Sequence, residues 1–520
     1  VLKSILILIG LTCCSIGYSQ GSTFQLNAEI EDKITQLLLA MSVEEKIGQT
    51  CQITLDAVLK TTPNGTVLDP FQIDEQKLKE ALITYHVGSI LNVSSHTLSL
   101  SEWRSIHQAI NKFYSKRTIK IPIIYGIDAI HGVNYTRGAT LFPHEIGLAA
   151  TWNRDVIMNS ASSTAYEMRA SGLRWNFSPV LDLGRQPLWS RYFETLGEDP
   201  FLASELGEAF VNGYQGNHHA LDNNHVIACL KHFVGYSLPQ SGRDRTPAWI
   251  PENYMTELFL PPFKAAVDAG ALTVMVNSGS VNGVPGHANY HLLTEILKHE
   301  WGFKGFVVSD WEDFSMLETV HQTASSYRQA IAQAFNAGVD MSMVPNAPLY
   351  KTYCLEFQQA LSEKLIDQKR LDDAVRRILR VKYYAGLFDE VVQEKVQGVL
   401  FGSSAFKAEA EKAALESITL LKNSKGILPL SSQSKILLTG PTANSLNALN
   451  GAWTHTWQGE DTAYNTVGAL TLLEAFKQKI PNLTFNPGAI NEYRDGWETS
   501  RLVDTMILKE QAVNADVIVL

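Results

Sequence analysis

Eight times between residues 47 and 343, a short apolar and often β-branched run is followed by a longer amphipathic stretch. No other feature of the chain restricts its fold as strongly. The runs are 47–53, 87–93, 121–127, 175–181, 226–233, 272–276, 305–309 and 338–343. Apolar runs of strand length separated by helical lengths are the pattern of βα units, since parallel neighbours need a crossover between them. Eight such units make a (β/α)8 barrel the economical fold, and an all-parallel sheet places the chain among α/β proteins.

The intervening segments carry helix signals. Residues 28–40 have helical periodicity, and Ser42-Val43-Glu44-Glu45 is a capping-box pattern that restarts a helix. Residues 371–379 repeat apolar positions at i, i+4, i+7 and i+8, leaving their charges on a solvated face. The polar stretch 389–407, broken by Gly398 and Gly402, is expected to link a barrel over 28–388 to a second domain over 408–520. That domain begins with a helix over 408–416 and shows strand-like runs at 435–438, 483–485 and 516–520. The last is a bare hydrophobic strand, an unprotected edge that leads us to expect a second α/β domain incomplete in this chain.

Charge narrows the partners. The balance of 43 Lys and Arg against 53 Asp and Glu gives −10, with no basic run, which makes nucleic acid or an anionic membrane a poor partner. A small neutral ligand fits better. Residues 1–19 combine Lys3, an apolar run over 5–11 and small residues to Ser19, the layout of a signal peptide, so a secreted or periplasmic protein is expected. The apolar run is too short to span a bilayer. Cys13 and Cys14 raise lipid anchoring as an alternative, although Thr12 and Cys13 are not the small residues that usually precede a lipidated cysteine. The remaining Cys51, Cys229 and Cys354 form no disulfide framework.

In a parallel barrel, catalytic groups sit at the C-terminal strand ends. The run at 305–309 ends in Asp310-Trp311, the run at 121–127 in Asp128, and the run at 226–233 contains Lys231-His232. Arg185 and Arg191 follow the fourth run, and Met275-Val276-Asn277-Ser278 closes the sixth. Each has an ordinary structural alternative: Asp310 or Asp128 can cap a helix, Lys231 can form an internal ion pair, His232 can be a satisfied core histidine. Their convergence on one rim is the stronger observation, because burying two carboxylates with Lys, Arg and His is costly without a purpose. A metal centre is the rival reading, with His131, His144, His232 and His287 available. None has close ligand spacing, and Lys231 and Arg191 would repel a cation, so neither metal nor cofactor is expected.

Four ordered strings, Tyr125-Gly126-Ile127-Asp128-Ala129-Ile130-His131-Gly132, Arg191-Tyr192-Phe193-Glu194-Thr195-Leu196-Gly197-Glu198-Asp199-Pro200, Lys231-His232-Phe233 and Val307-Val308-Ser309-Asp310-Trp311, together resemble the exo-β-glucosidases of glycoside hydrolase family 3. The resemblance runs from about residue 28 to the last. It implies a barrel followed by an α/β sandwich, Asp310 as nucleophile of a retaining mechanism, and Asp128, Arg191, Lys231 and His232 on the hydroxyls of a terminal glucose. Met275 and Trp311 are expected to line the same subsite. The stretch Gly451-Ala452-Trp453-Thr454-His455-Thr456-Trp457-Gln458-Gly459 resembles a family loop that brings tryptophan to the leaving-group side, which assigns Trp457 there.

Two departures qualify the comparison. Ser278 stands where plant relatives carry an aromatic residue. The relatives' acid/base glutamate follows a strand like 516–520, and no residue here is assigned that role. The expected activity is release of terminal β-D-glucosyl residues from β-linked gluco-oligosaccharides. A β-xylosidase, differing by the room for one hydroxymethyl group, and a non-catalytic sugar-binding fragment are the alternatives. A β-N-acetylhexosaminidase fits poorly, because Val234-Gly235-Tyr236-Ser237 lacks the loop histidine of that branch.

Overall fold

The computed structural model describes residues 24–93, 96–216, 221–345, 348–389, 400–494 and 497–520. The expected signal segment 1–19 and residues 390–399 of the expected linker lie outside the described residues. The first helix spans Ala28–Ala40, and the Asn27 side chain accepts from the Glu29 and Ile30 N–H groups at its start. Ser42 and Glu45 form the expected reciprocal capping box and start the helix Val43–Gln49. That helix corrects the first strand expectation: the strand begins only at Cys51, because the capping box nucleates a helix that runs through Gln49.

The eight strands are β1 (Cys51–Thr54), β2 (Ser89–Leu91), β3 (Ile124–Ile127), β4 (Trp175–Asn176), β5 (Ile227–Phe233), β6 (Thr273–Val276), β7 (Phe306–Val308) and β8 (Ser342–Met343). They pair in parallel in the order β8-β1-β2-β3-β4-β5-β6-β7. A parallel bridge between Val308 and Met341 joins the two ends, so the sheet closes into a (β/α)8 barrel. All eight apolar runs of the sequence contribute a strand. The fourth pairs regularly for two residues only, since Pro179 has no N–H to donate to the ladder.

Residues on and directly after β2 to β8, Leu91, Ile124, Trp175, Phe177, Cys229, Met275, Phe306, Val308 and Met343, pack together as one buried cluster that fills the lumen. Trp175 and Phe177 meet edge to face with centroids 4.8 Å apart. Gly126 lies beneath them, where a Cβ would come within 2.5 Å of the Phe177 ring, so glycine is required by space. A second, larger core lies between the strands and the surrounding helices. Each side chain fully buried in either layer contributes about 1.5–3 kcal/mol of transfer free energy.

The helix expected at 408–416 spans Ser404–Ser417 and packs on the barrel helices Glu145–Ala150 and Arg154–Ala170. Ser163 Oγ donates to Glu409 at 2.7 Å, and Asn153 Nδ2 donates to Glu416 at 2.9 Å. Beyond it, β9 (Ile436–Thr439), β10 (Leu483–Asn486) and β11 (Val517–Val519) form a parallel sheet in the order β10-β9-β11. The three strand-like runs of the sequence fall on these strands. An antiparallel hairpin, Ala489–Arg494 with Trp497–Leu502, was not legible because most of its residues are polar. Among the described residues, no helix is long and apolar enough to cross a membrane.

Candidate active site

Strand ends converge at one rim of the barrel. Asp128, directly after β3, is buried, and its Oδ1 accepts from Lys231 Nζ of β5 at 2.5 Å. Its Oδ2 accepts from Asn92 Nδ2 at 2.8 Å, while Asn92 Oδ1 accepts from the Asp128 N–H at 3.1 Å. Asn92 follows β2 with φ 44°, a left-handed conformation that asparagine tolerates. The Asp128 carboxylate is therefore held on both oxygens, by the residue that follows β2 and by a lysine of β5.

Register shifts between Leu230 and Phe233 of β5, where Lys231 and His232 lie. The His232 N–H donates to Asp182 Oδ2 at 3.1 Å, and His232 Nδ1 shares a 2.7 Å hydrogen bond with the same oxygen. The opposite ring nitrogen, Nε2, stands 3.7 Å from Asp310 Oδ2. Burial pushes Asp182 up to about 8, and burial together with the Arg191 charge lowers His232 well below the ordinary histidine value. Arg191 grips the buried Glu194 through two bonds, Nε to Oε1 at 2.9 Å and Nη2 to Oε2 at 2.7 Å, and its guanidinium lies 5.7 Å from the Tyr236 ring centre.

Asp310 follows β7 and does not cap a helix: the cap position of helix Asp313–Thr319 is Glu312, at φ 59° and with no side-chain cap bond. Instead, Asp310 Oδ1 accepts from the Trp311 N–H at 2.6 Å and Oδ2 accepts from Ser278 Oγ at 2.8 Å. Arg245 Nη2 stands 3.5 Å from Oδ1. Burial disfavours the Asp310 charge, but Arg245, His232, Arg191 and the Trp311 N–H outweigh it and hold the carboxyl well below the usual range. An anion fixed by short bonds on both oxygens, in a buried site surrounded by cations, is suited to nucleophilic attack.

Arg245 Nη1 also donates to the Trp311 carbonyl and to Asp313 Oδ1, each at 3.1 Å. Burial and the neighbouring Asp310 charge raise Asp313 well above the ordinary value. His287 Nε2 accepts from the Asp310 N–H at 3.2 Å, and burial lowers this histidine to about 3, so it accepts as a neutral ring.

Residues 450–459 supply another wall. Trp453 Nε1 donates to Glu194 Oε1 at 3.1 Å, and Lys231 Nζ lies 5.4 Å from the Trp453 ring centre. His131 Nε2 meets the Trp453 carbonyl at 2.9 Å, and Thr97 Oγ1 donates to the His455 carbonyl at 2.9 Å. These contacts hold the loop 450–459 against the barrel rim.

Of the residues expected from sequence, Asp128, Arg191, Lys231, His232 and Asp310 come together in this cluster. Trp311 is 37% exposed at its mouth. Met275 is buried in the lumen plug beside Val308. Trp457 is 56% exposed, and it is Trp453 in the same loop that stands over Lys231. Asn92, Asp182, Glu194, Arg245, His287, Asp313 and Trp453 were not assigned roles from sequence. Asp182 carried a usable signal: like Asp128 and Asp310, it is an acid immediately beyond an apolar run. Among the described residues, no group of three or more His, Cys, Asp or Glu side chains is placed to hold a metal ion.

Residues 30–381 match the family model described as the glycosyl hydrolase family 3 N terminal domain. The chain is 42% identical over 451 residues to a lysosomal beta glucosidase of Dictyostelium discoideum, covering 83% of this chain and 54% of that protein. It is 32% identical over 459 residues to a periplasmic beta-glucosidase of Salmonella typhimurium, covering 85% and 56%. The crystal structure of an exo-1,3/1,4-beta-glucanase from a Pseudoalteromonas species superposes with a TM-score of 0.79 at 29% identity, over 92% of this chain and 58% of that one. The chain thus spans about half the length of the curated relatives it matches.

Proposed function

The chain belongs to glycosyl hydrolase family 3, and from its site we propose that the protein removes terminal non-reducing β-D-glucosyl residues from oligosaccharides with retention of configuration. The observation that carries this reading is the Asp310 carboxylate, ionised and held at the end of β7 with Asp128, Lys231, Arg191 and His232 around it. Asp310 attacks the anomeric carbon as its bond to the leaving oxygen breaks and the aglycone departs, giving a glycosyl-enzyme ester that water then cleaves to free the sugar and the carboxylate. Asp128 and Lys231 present an acceptor and a donor 2.5 Å apart, a spacing that suits adjacent sugar hydroxyls. Arg191, set by Glu194, and His232, set by Asp182, add further donors. Trp311 and Trp457 offer exposed indole faces to the leaving group.

Neutral β-linked gluco-oligosaccharides suit a site whose cations are already matched by carboxylates. Export to the periplasm or beyond is part of the proposal, supported by the leader-like residues 1–19 and by a relative named as periplasmic.

The test uses aryl β-glucosides, whose good leaving groups need little acid assistance. Proton NMR in the first minutes should show β-glucose as the first product; initial α-glucose overturns retention. Aryl β-xylosides and N-acetylglucosaminides run alongside should be poorer substrates, and preference for the xyloside transfers the assignment to a xylosidase.

A further inference from the structure

His232 meets Asp182 on one side and Asp310 on the other, and the question is which ring nitrogen carries hydrogen. We propose that Asp182 and His232 share one proton between them, so that His232 Nε2 carries hydrogen and stands as a donor toward Asp310 and toward a sugar hydroxyl beside it.

The geometry argues this from both ends. Asp182 Oδ2 already accepts from the His232 backbone N–H at 3.1 Å and is 2.7 Å from Nδ1, so backbone and ring of one residue are tied to one oxygen. If Asp182 were a bare carboxylate and the ring neutral, the single ring hydrogen would sit at Nδ1. The Nε2 lone pair would then face the Asp310 carboxylate at 3.7 Å, in a site where all three groups are buried. One added proton removes that repulsion, whether it rests on Asp182 or on the ring, because Nε2 is an N–H in both cases.

The surrounding charges leave room for it. Lys231 is paired with Asp128, Arg191 with Glu194, and Arg245 is divided between Asp310 and Asp313. Tyr236 packs its ring edge on His232 with centroids 5.0 Å apart and brings no charge. The raised Asp182 and lowered His232 agree with a proton resting on the acid side of the bond. Asp182 is then a positioning residue acting through His232. Its role in sugar binding rests on the glycosidase reading; the location of the proton does not.

The test separates the two. Nitrogen-15 NMR of histidine-labelled protein, with the resonance assigned by its loss in His232→Gln, should show Nε2 protonated at neutral pH and losing its hydrogen only on the alkaline side. In Asp182→Asn the amide oxygen must stay toward the backbone N–H, which forces the ring hydrogen onto Nδ1 and leaves Nε2 bare. That variant should melt within a few degrees of the parent and bind D-glucose at least about tenfold more weakly by calorimetry, a loss of about 1.4 kcal/mol. A bare Nε2 in the parent at neutral pH, or a protonated Nε2 in Asp182→Asn, overturns the proposal. Failure of the protein to cleave glucosides while these shifts appear as described removes the glycosidase reading and leaves the shared proton standing.

Discussion

Lys231 Nζ lies 2.5 Å from Asp128 Oδ1, although the two residues come from strands separated by β4 and stand 103 positions apart in sequence. Both are buried, so each is the other's main compensation for leaving water. Asp128→Ala should cost about 3–5 kcal/mol of stability because it strands a buried ammonium. Asp128→Asn keeps the shape and should lower kcat/KM by about 100-fold, or about 2.7 kcal/mol. Urea unfolding together with aryl-glucoside kinetics checks both; an Asn variant within a few-fold of the parent would remove Asp128 from the sugar site.

Asp310→Asn preserves an acceptor for the Trp311 N–H and a partner for Ser278. Glucose affinity should stay within a few-fold of the parent while turnover falls by about 10⁴ or more, since the proposed nucleophile is lost. A 2-fluoro-glucoside inactivator should leave its sugar on the peptide containing Asp310. Mass spectrometry that finds the label on another carboxylate moves the nucleophile there.

Arg245 is the strongest of the groups that lower the Asp310 carboxyl against burial. In the proposed mechanism Asp310 attacks only when ionised, so activity should be present above its folded value and fade as pH falls through it. Arg245→Met raises that value and should shift the acid limb of kcat/KM to higher pH. Stability follows the same sign: the contribution of the ionised carboxylate is complete above the unfolded value of about 3.9 and declines below it, and the variant loses part of that contribution. An acid limb at an unchanged pH in the variant would show that Arg245 does not govern the nucleophile.

Trp453→Phe keeps an aromatic ring near Lys231 but deletes the donor to Glu194, whereas Trp453→Ala deletes both. Lost cation–π contact is worth about 0.5–2 kcal/mol. KM should therefore rise modestly in the Phe variant and by about tenfold in the Ala variant, with the barrel's melting temperature little changed. Equal KM values in the two variants would mean the ring itself contributes nothing.

Much of this site was legible because β-strand periodicity ends abruptly. Asp128 and Asp310 interrupt apolar runs at the point where each strand leaves the barrel, and Lys231-His232 interrupts one from within. Arg245 gave no such signal: it lies in a polar loop after β5 and reaches Asp310 only because that loop folds back over β7. Ser278 was noticed as a departure, but its bond to Asp310 depends on the spacing of β6 and β7, which no local pattern encodes. Trp453 and Trp457 lie four positions apart in one loop, and only its folded path distinguishes the tryptophan over Lys231 from the exposed one.

The loop at 450–459 also bears on the order in which the protein is made. Residues 51 to 343 supply every strand of the barrel, yet Trp453 and His455, which meet Glu194, His131 and Thr97, are synthesised more than a hundred residues later. Because domains fold as units from the amino-terminal side during synthesis, a ribosome-bound barrel passes through an interval in which its strand-end rim is formed but stands open on one flank.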